Sequence, residues 1–121
     1  MSGDASDVRR VAAIDCGTNS IRLLVADLHP TGKTDLHREM RIVRLGQGVD
    51  RTGLLALEAL ERTRVAVEDY AATCRELGVE RTRFVATSAT RDAANRERFT
   101  SMVIEALRVQ PEVVTGDEEA R

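Results

Sequence analysis

The chain has 121 residues, of which 42% are hydrophobic and 31% charged, a globular composition at the size of one compact domain. Eighteen Lys plus Arg stand against twenty Asp plus Glu, a formal net charge of −2, so bulk electrostatics draw it to neither nucleic acid nor an anionic membrane. Its aromatic residues, Tyr70, Phe84 and Phe99, all fall inside apolar patterns and leave no stacking platform for single-stranded nucleic acid.

The start, from Met1 to Asp7, is polar and acidic rather than basic and then apolar, which is not a signal peptide, and residues 1–10 are expected to be disordered. No apolar run approaches the ~18 residues needed to span a bilayer. From Val11 to Cys16 an apolar run of strand length leads into the turn Gly17-Thr18-Asn19-Ser20, and a second apolar run continues from Ile21 to Leu28. After a turn over His29 to Lys33, loose alternation from Asp35 to Leu45 predicts a third strand, completing an N-terminal β-meander. Gly46, Gly48 and Gly53 mark the next loop. The spacing of Leu57, Leu60, Val67, Ala71, Cys74 and Leu77 predicts a helix packed on the sheet through that face. Ala56 offers it no side-chain cap, whereas Gly78 reads as its C-terminal stop. Arg83 to Thr87 is a short buried strand, reached most simply by a right-handed parallel crossover. Asn95 is expected to cap a second helix with the stripe Phe99, Val103 and Leu107, ending before Pro111, and Glu112 to Thr115 supplies a fifth strand. The fold class is therefore α/β, a mixed five-stranded sheet with flanking helices. Gly116 to Arg121 reads as a strand-to-helix turn at the start of a helix, so the 121 residues are expected to be part of something larger.

Cys16 and Cys74 lack Cys-x-x-Cys or Cys/His spacing, so neither a zinc site nor a disulfide framework is indicated, and a reducing, cytoplasmic setting fits. Cys16 reads as a small buried filler at a strand end. Every basic residue except Lys33 is arginine, but their scatter points to a GC-rich genome rather than to phosphate recognition, so individual arginines must be argued singly.

Three segments that follow predicted strand ends could carry chemistry. Asp15 to Ser20 offers backbone N–H groups, two hydroxyls and an amide with a carboxylate at the entrance, suited to a phosphate or its Mg²⁺, although the same residues make ordinary hairpin turns. Thr87-Ser88-Ala89-Thr90-Arg91-Asp92 presents three hydroxyls and an arginine where open α/β sheets place ligands, or it merely caps a helical turn. Asp117-Glu118-Glu119 is either a set of acidic ligands or simple helix-start electrostatics.

Four blocks in order and at matching spacing carry a family resemblance: Ala12 to Val25 with its Ile14-Asp15-Cys16-Gly17-Thr18-Asn19-Ser20 core; Arg44-Leu45-Gly46-Gln47-Gly48-Val49; Ala86 to Ala93 with Asn95; and Thr115 to Arg121. Together they resemble the first domain of the exopolyphosphatase/guanosine pentaphosphate phosphohydrolase (Ppx/GppA) family, in its actinobacterial form. The resemblance covers the chain from Val11 to Arg121. It implies a ribonuclease H-like (actin-like ATPase) domain, with a second such domain facing it across a cleft in the whole protein. It further implies phosphate binding by Gly17, Thr18, Asn19, Ser20, Arg22 and Arg91, with Glu119 as general base. Asp15 and Glu119 become ligands of Mg²⁺ or Mn²⁺, a set that is incomplete without the second domain. The family's second phosphate loop lies beyond Arg121, so the 121 residues alone are expected to hydrolyse poorly or not at all.

The implied activity is release of terminal phosphate from inorganic polyphosphate, conversion of guanosine pentaphosphate to tetraphosphate, or both, by a protein that is a homodimer at full length. Two alternatives stay open. One is a non-catalytic half-domain binding polyphosphate or the alarmone; the other is a nucleotide-using, kinase-like relative on the same fold.

Overall fold

The computed structural model of the chain describes residues 7–87, 90 and 92–113. Strands β1 (Arg9–Cys16), β2 (Ser20–His29) and β3 (Gly32–Ile42) form an antiparallel meander. A one-turn helix α1 (Val49–Thr52) and the long helix α2 (Leu57–Leu77) lead to β4 (Arg81–Ala86), which pairs parallel to β1. Helix α3 (Arg96–Leu107) then leads to β5 (Glu112–Val113), parallel to β4, giving a mixed five-stranded sheet in the order β3-β2-β1-β4-β5.

Period-two patterning gives the sheet one inner face. Ala12, Ile14 and Cys16 of β1, Ile21, Leu23 and Val25 of β2, and Phe84 and Ala86 of β4 point inward and are buried, while Ala13, Asp15 and Arg22 are exposed on the opposite face. Helix α2 covers the inner face with mostly small residues: Ala59, Thr63, Ala66, Val67, Tyr70, Ala71 and Cys74. The Tyr70 hydroxyl donates to the Ile21 carbonyl at 2.9 Å, and the Phe99 ring of α3 meets Phe84 at 5.8 Å, so both helices share one core with the sheet. Edge strand β3 buries none of its residues and carries Lys33, Asp35, Arg38 and Arg41, charges that disfavour pairing with another chain. Among the described residues no helix is long and apolar enough to cross a membrane.

Several sequence expectations shift. Strand β1 begins at Arg9 rather than Val11, because Arg10 forks onto Asp27 of β2 at 2.8 and 3.1 Å and donates to the Leu77 carbonyl at the end of α2. Residues 1–6 lie outside the description. The third strand is Gly32–Ile42, not Asp35 to Leu45, since a two-residue turn at Pro30-Thr31 pairs His29 with Gly32 and starts the strand at once. Strand β4 likewise runs from Arg81 to Ala86 instead of from Arg83 to Thr87. Leu57, expected on the buried face of α2, is 66% exposed. Gly78 ends α2 as expected, with φ 72°. Asn95 occupies the N-cap position of α3 but caps nothing: its amide pairs with the Leu55 N–H (2.8 Å) and carbonyl (3.0 Å).

Candidate functional site

The carboxyl ends of β1 and β4 and the start of β2 meet at one edge of the sheet, the position where open α/β folds bind ligands. Three segments converge there: the turn Gly17–Asn19, the loop after β3, and Thr87 after β4. The Gly17 N–H donates to the Ser20 carbonyl at 2.8 Å and closes the turn, so this N–H, expected to face a phosphate, is already occupied. The N–H groups of Thr18 and Asn19 have no hydrogen-bond partner among the described residues, and both residues are exposed. The hydroxyls of Thr18 and Ser20 and the Asn19 amide also have no partner there. This leaves a short run of donors facing outward, the arrangement that holds an anion.

The loop after β3 backs this turn. Val43 and Arg44 both donate their N–H to the Asn19 carbonyl, at 3.0 and 2.9 Å, and Gly46 donates to the Thr18 carbonyl at 2.9 Å. The approach is close: a Cβ at position 46 would lie 2.3 Å from Thr18 Cγ2, so that methyl would have to move to admit any side chain there. The loop is anchored from behind by Arg62 of α2, whose Nε donates to the Val43 carbonyl (2.9 Å) and Nη2 to Gln47 Oε1 (2.6 Å). Arg44 adopts φ 51°, a left-handed conformation that disfavours an L residue by about 1–2 kcal/mol.

On the other flank, Thr87 donates its N–H to the Cys16 carbonyl at 3.2 Å, which brings it alongside Gly17. Its hydroxyl oxygen is buried with no hydrogen-bond partner among the described residues, a state that a ligand or water normally relieves. Thr90 donates its hydroxyl back to the Thr87 carbonyl at 2.8 Å, so for Thr90 the local turn-capping role is the one realised.

Asp15 and Arg22 pair directly across β1 and β2 on the exposed face, the next pair after Cys16 and Ile21 from the turn, and line a shallow depression with Ala13, Leu24, Arg38 and Met40. The structure thus brings together Asp15, Gly17, Thr18, Asn19, Ser20 and Arg22 within one strand–turn–strand unit. Arg91 and Glu119 lie outside the described residues, as do Ser88, Asp117 and Glu118. No cluster of three or more His, Cys, Asp or Glu side chains able to hold a metal occurs among the described residues. Cys16 is completely buried, and that burial, with the nearby Asp15 carboxylate second, pushes its thiol up to about 12, which makes it an inert filler.

The sequence reading assigned no role to two features of this edge. One is the orphaned Thr87 hydroxyl, which a hydroxyl-rich strand end hints at without singling out. The other is the left-handed Arg44, quoted within a motif but given no function there.

Comparison with known proteins settles the lineage. The sequence profile of the Ppx/GppA phosphatase family matches residues 24–121. The chain belongs to the Ppx/GppA family. It is 55% identical over 120 residues to exopolyphosphatase 2 of Mycobacterium tuberculosis, an alignment covering 92% of this chain and 38% of that protein. The crystal structure of an exopolyphosphatase-like protein superimposes with a TM-score of 0.88 at 50% identity, covering 94% of this chain and 35% of that one. An Aquifex aeolicus member of the Ppx/GppA family gives 0.86 at 35% identity, covering 93% and 37%. The five-stranded sheet with flanking helices is accordingly the actin-like ATPase fold of this family. The chain spans little more than a third of the length of these relatives.

Proposed function

We propose that this chain is the phosphate-holding first domain of a Mg²⁺-dependent phosphoanhydride hydrolase that removes terminal phosphate from inorganic polyphosphate, with guanosine pentaphosphate as a related substrate. Membership of the exopolyphosphatase family supports the substrate class. The observation that carries the reading to this site is the set of exposed donors at Thr18 and Asn19, with the Ser20 hydroxyl, that have no partner among the described residues, with Arg22 following on the exposed face of β2. A polyanion needs N–H and cationic donors fixed before it arrives, and a turn braced by a second loop supplies them without reorganisation.

The donors beside the turn also suit the metal. Asp15 is a single carboxylate in the same strand–turn–strand unit as the hydroxyls of Thr18 and Ser20, all oxygen donors, and Mg²⁺ characteristically takes one or two carboxylates with water and substrate phosphates. Asp15 would hold it together with Glu119, and the ion, or Mn²⁺ in its place, would supply neutralisation of the phosphate oxygens at the scissile bond. In this reading Thr18, Asn19 and Ser20 orient the terminal phosphate, Arg22 and Arg91 hold the following phosphates in line, and Glu119 accepts the proton of the attacking water. The remainder of the relatives' length supplies the opposing domain, and the full-length protein is a cytoplasmic homodimer.

The test is orthophosphate release from long-chain polyphosphate. A protein extended to the relatives' full length should release phosphate, its Glu119→Gln variant should lose at least a hundredfold in rate while still binding polyphosphate, and the 121-residue chain should release none. Hydrolysis by the 121 residues alone would overturn the two-domain account of the site.

A further inference from the structure

We propose that Arg44 is an additional phosphate-contacting residue of this site, presented by the loop that braces the Thr18–Ser20 turn; the inference rests on the phosphate-binding reading above and deepens it. Six of the fifteen described arginines are held in ion pairs, Arg9, Arg10, Arg38, Arg41, Arg64 and Arg83, and of the others Arg44 is the one whose backbone is tied to the Thr18–Asn19 turn. Arg44 is exposed, and its guanidinium has no partner among the described residues. Its backbone N–H lies 2.9 Å from the Asn19 carbonyl, so its side chain starts beside the candidate anion cradle.

The backbone strengthens the case. Among the described residues two non-glycine positions have positive φ, Arg44 and Arg108. Arg108 is explained by its place: it follows α3 and donates its N–H to the Ile104 carbonyl, the usual left-handed helix end. Arg44 follows a strand, ends no helix, and is held left-handed by ties on both sides: its own N–H on Asn19, Gln47 N–H on its carbonyl at 3.0 Å, and Arg62 on the Val43 carbonyl. A glycine or asparagine would adopt this conformation with less strain. Keeping a bulky cation there, with neighbours that fix its position, is the arrangement expected where the side chain serves a ligand rather than the fold. The chemistry it serves is that of a condensed phosphate, because a guanidinium fork carried on a backbone tied to Asn19 would extend the donor row of Thr18 and Asn19 along a polyanion.

The experiment is an amide-resolved NMR titration of the 121-residue chain with inorganic tripolyphosphate, comparing wild type, Arg44→Gly and Arg44→Lys, alongside their thermal melts. Arg44→Gly should weaken binding about fivefold to tenfold while melting at or above the wild-type temperature, since it relieves the backbone. Arg44→Lys, which retains the charge without the fork, should weaken it by about twofold to threefold. A structural role alone would move the melt and leave the affinity unchanged. If tripolyphosphate shifts the Thr18–Ser20 amides equally in wild type and Arg44→Gly, with dissociation constants within twofold, this inference falls and the phosphate site stands. If those amides do not respond even in wild type, the reading beneath it falls as well.

Discussion

Replacing Gly46 by alanine tests the contact on which the site's geometry rests. The new Cβ would lie 2.3 Å from Thr18 Cγ2, while the Thr18 carbonyl and Cβ remain at ordinary distances of 3.5 and 3.6 Å. The clash is thus with one methyl group, and loop and turn must part by about 1 Å, or Thr18 must change rotamer, to restore normal carbon–carbon contact. Overpacking of this kind destabilises by about 1–3 kcal/mol, whereas Gly→Ala at a position without positive φ stabilises by about 0.4–1 kcal/mol through the unfolded chain. The net expectation is a loss of about 1–2 kcal/mol, or a melting temperature lower by roughly 3–8 °C. In a Thr18→Ser background the offending methyl is gone, and Gly46→Ala should become neutral or stabilising by up to about 1 kcal/mol. Urea denaturation of the four proteins of this double-mutant cycle should give a coupling energy of about 1–3 kcal/mol. Equal costs of Gly46→Ala in both backgrounds would refute the close packing of the loop against the turn.

Three further predictions follow from the packing and electrostatics. Tyr70→Phe deletes the buried hydroxyl that donates to the Ile21 carbonyl and should lower the unfolding free energy by about 1 kcal/mol with an unchanged urea m-value; no loss would show that the bond does not tie α2 to β2. Asp27 is held below the ordinary aspartate range, chiefly by its hydrogen bonds from Arg10. Its contribution is therefore fully present above the unfolded value near pH 4 and is lost as pH falls through the lower folded value, so Asp27→Asn should flatten the loss of stability below about pH 4 in acid denaturation curves. Finally, with its thiol pushed up to about 12 and its side chain enclosed, Cys16 should resist a thiol-disulfide reagent at pH 8 until the protein unfolds; rapid labelling of the native chain at Cys16 would contradict its role as filler.

The meander and the long helix were legible because their signals are local. Apolar runs of strand length mark β1 and β2, and Gly78 at φ 72° supplies the left-handed stop that ends α2 at Leu77. The expected inward face of α2 holds for Val67, Ala71 and Cys74, with Leu60 and Leu77 packed at its margin, and fails only at Leu57, for a physical reason. Large aliphatics such as Leu57 dominate a hydrophobic pattern, yet the helix lies against the sheet through Ala59, Thr63 and Ala66, whose small side chains permit close approach, and leaves Leu57 at the solvent end. Asn95 shows a different limit: the residue type and position of an N-cap were right, but its amide is engaged by Leu55, forty residues earlier, a partner no local pattern reveals. Helix α1, a single turn after Gly48 with no buried residue, left no periodicity to read.

The candidate site divides in the same way. The turn from Gly17 to Ser20 and the facing pair Asp15 and Arg22 were visible because strand–turn–strand placement and donor chemistry both lie within eight residues. The left-handed Arg44 and the unpartnered Thr87 hydroxyl were not, since each depends on segments distant in sequence meeting at the sheet edge.

The most direct test of the central claim is to map where a condensed phosphate touches this chain. Amide chemical shifts recorded during titration with inorganic tripolyphosphate and Mg²⁺ should move most at Thr18, Asn19 and Ser20, with a smaller response at Arg22 and Thr87. Shifts confined to arginines on the exposed sides of α2 and α3, or no saturable shift at the turn, would show that the strand-end cradle is not a phosphate site.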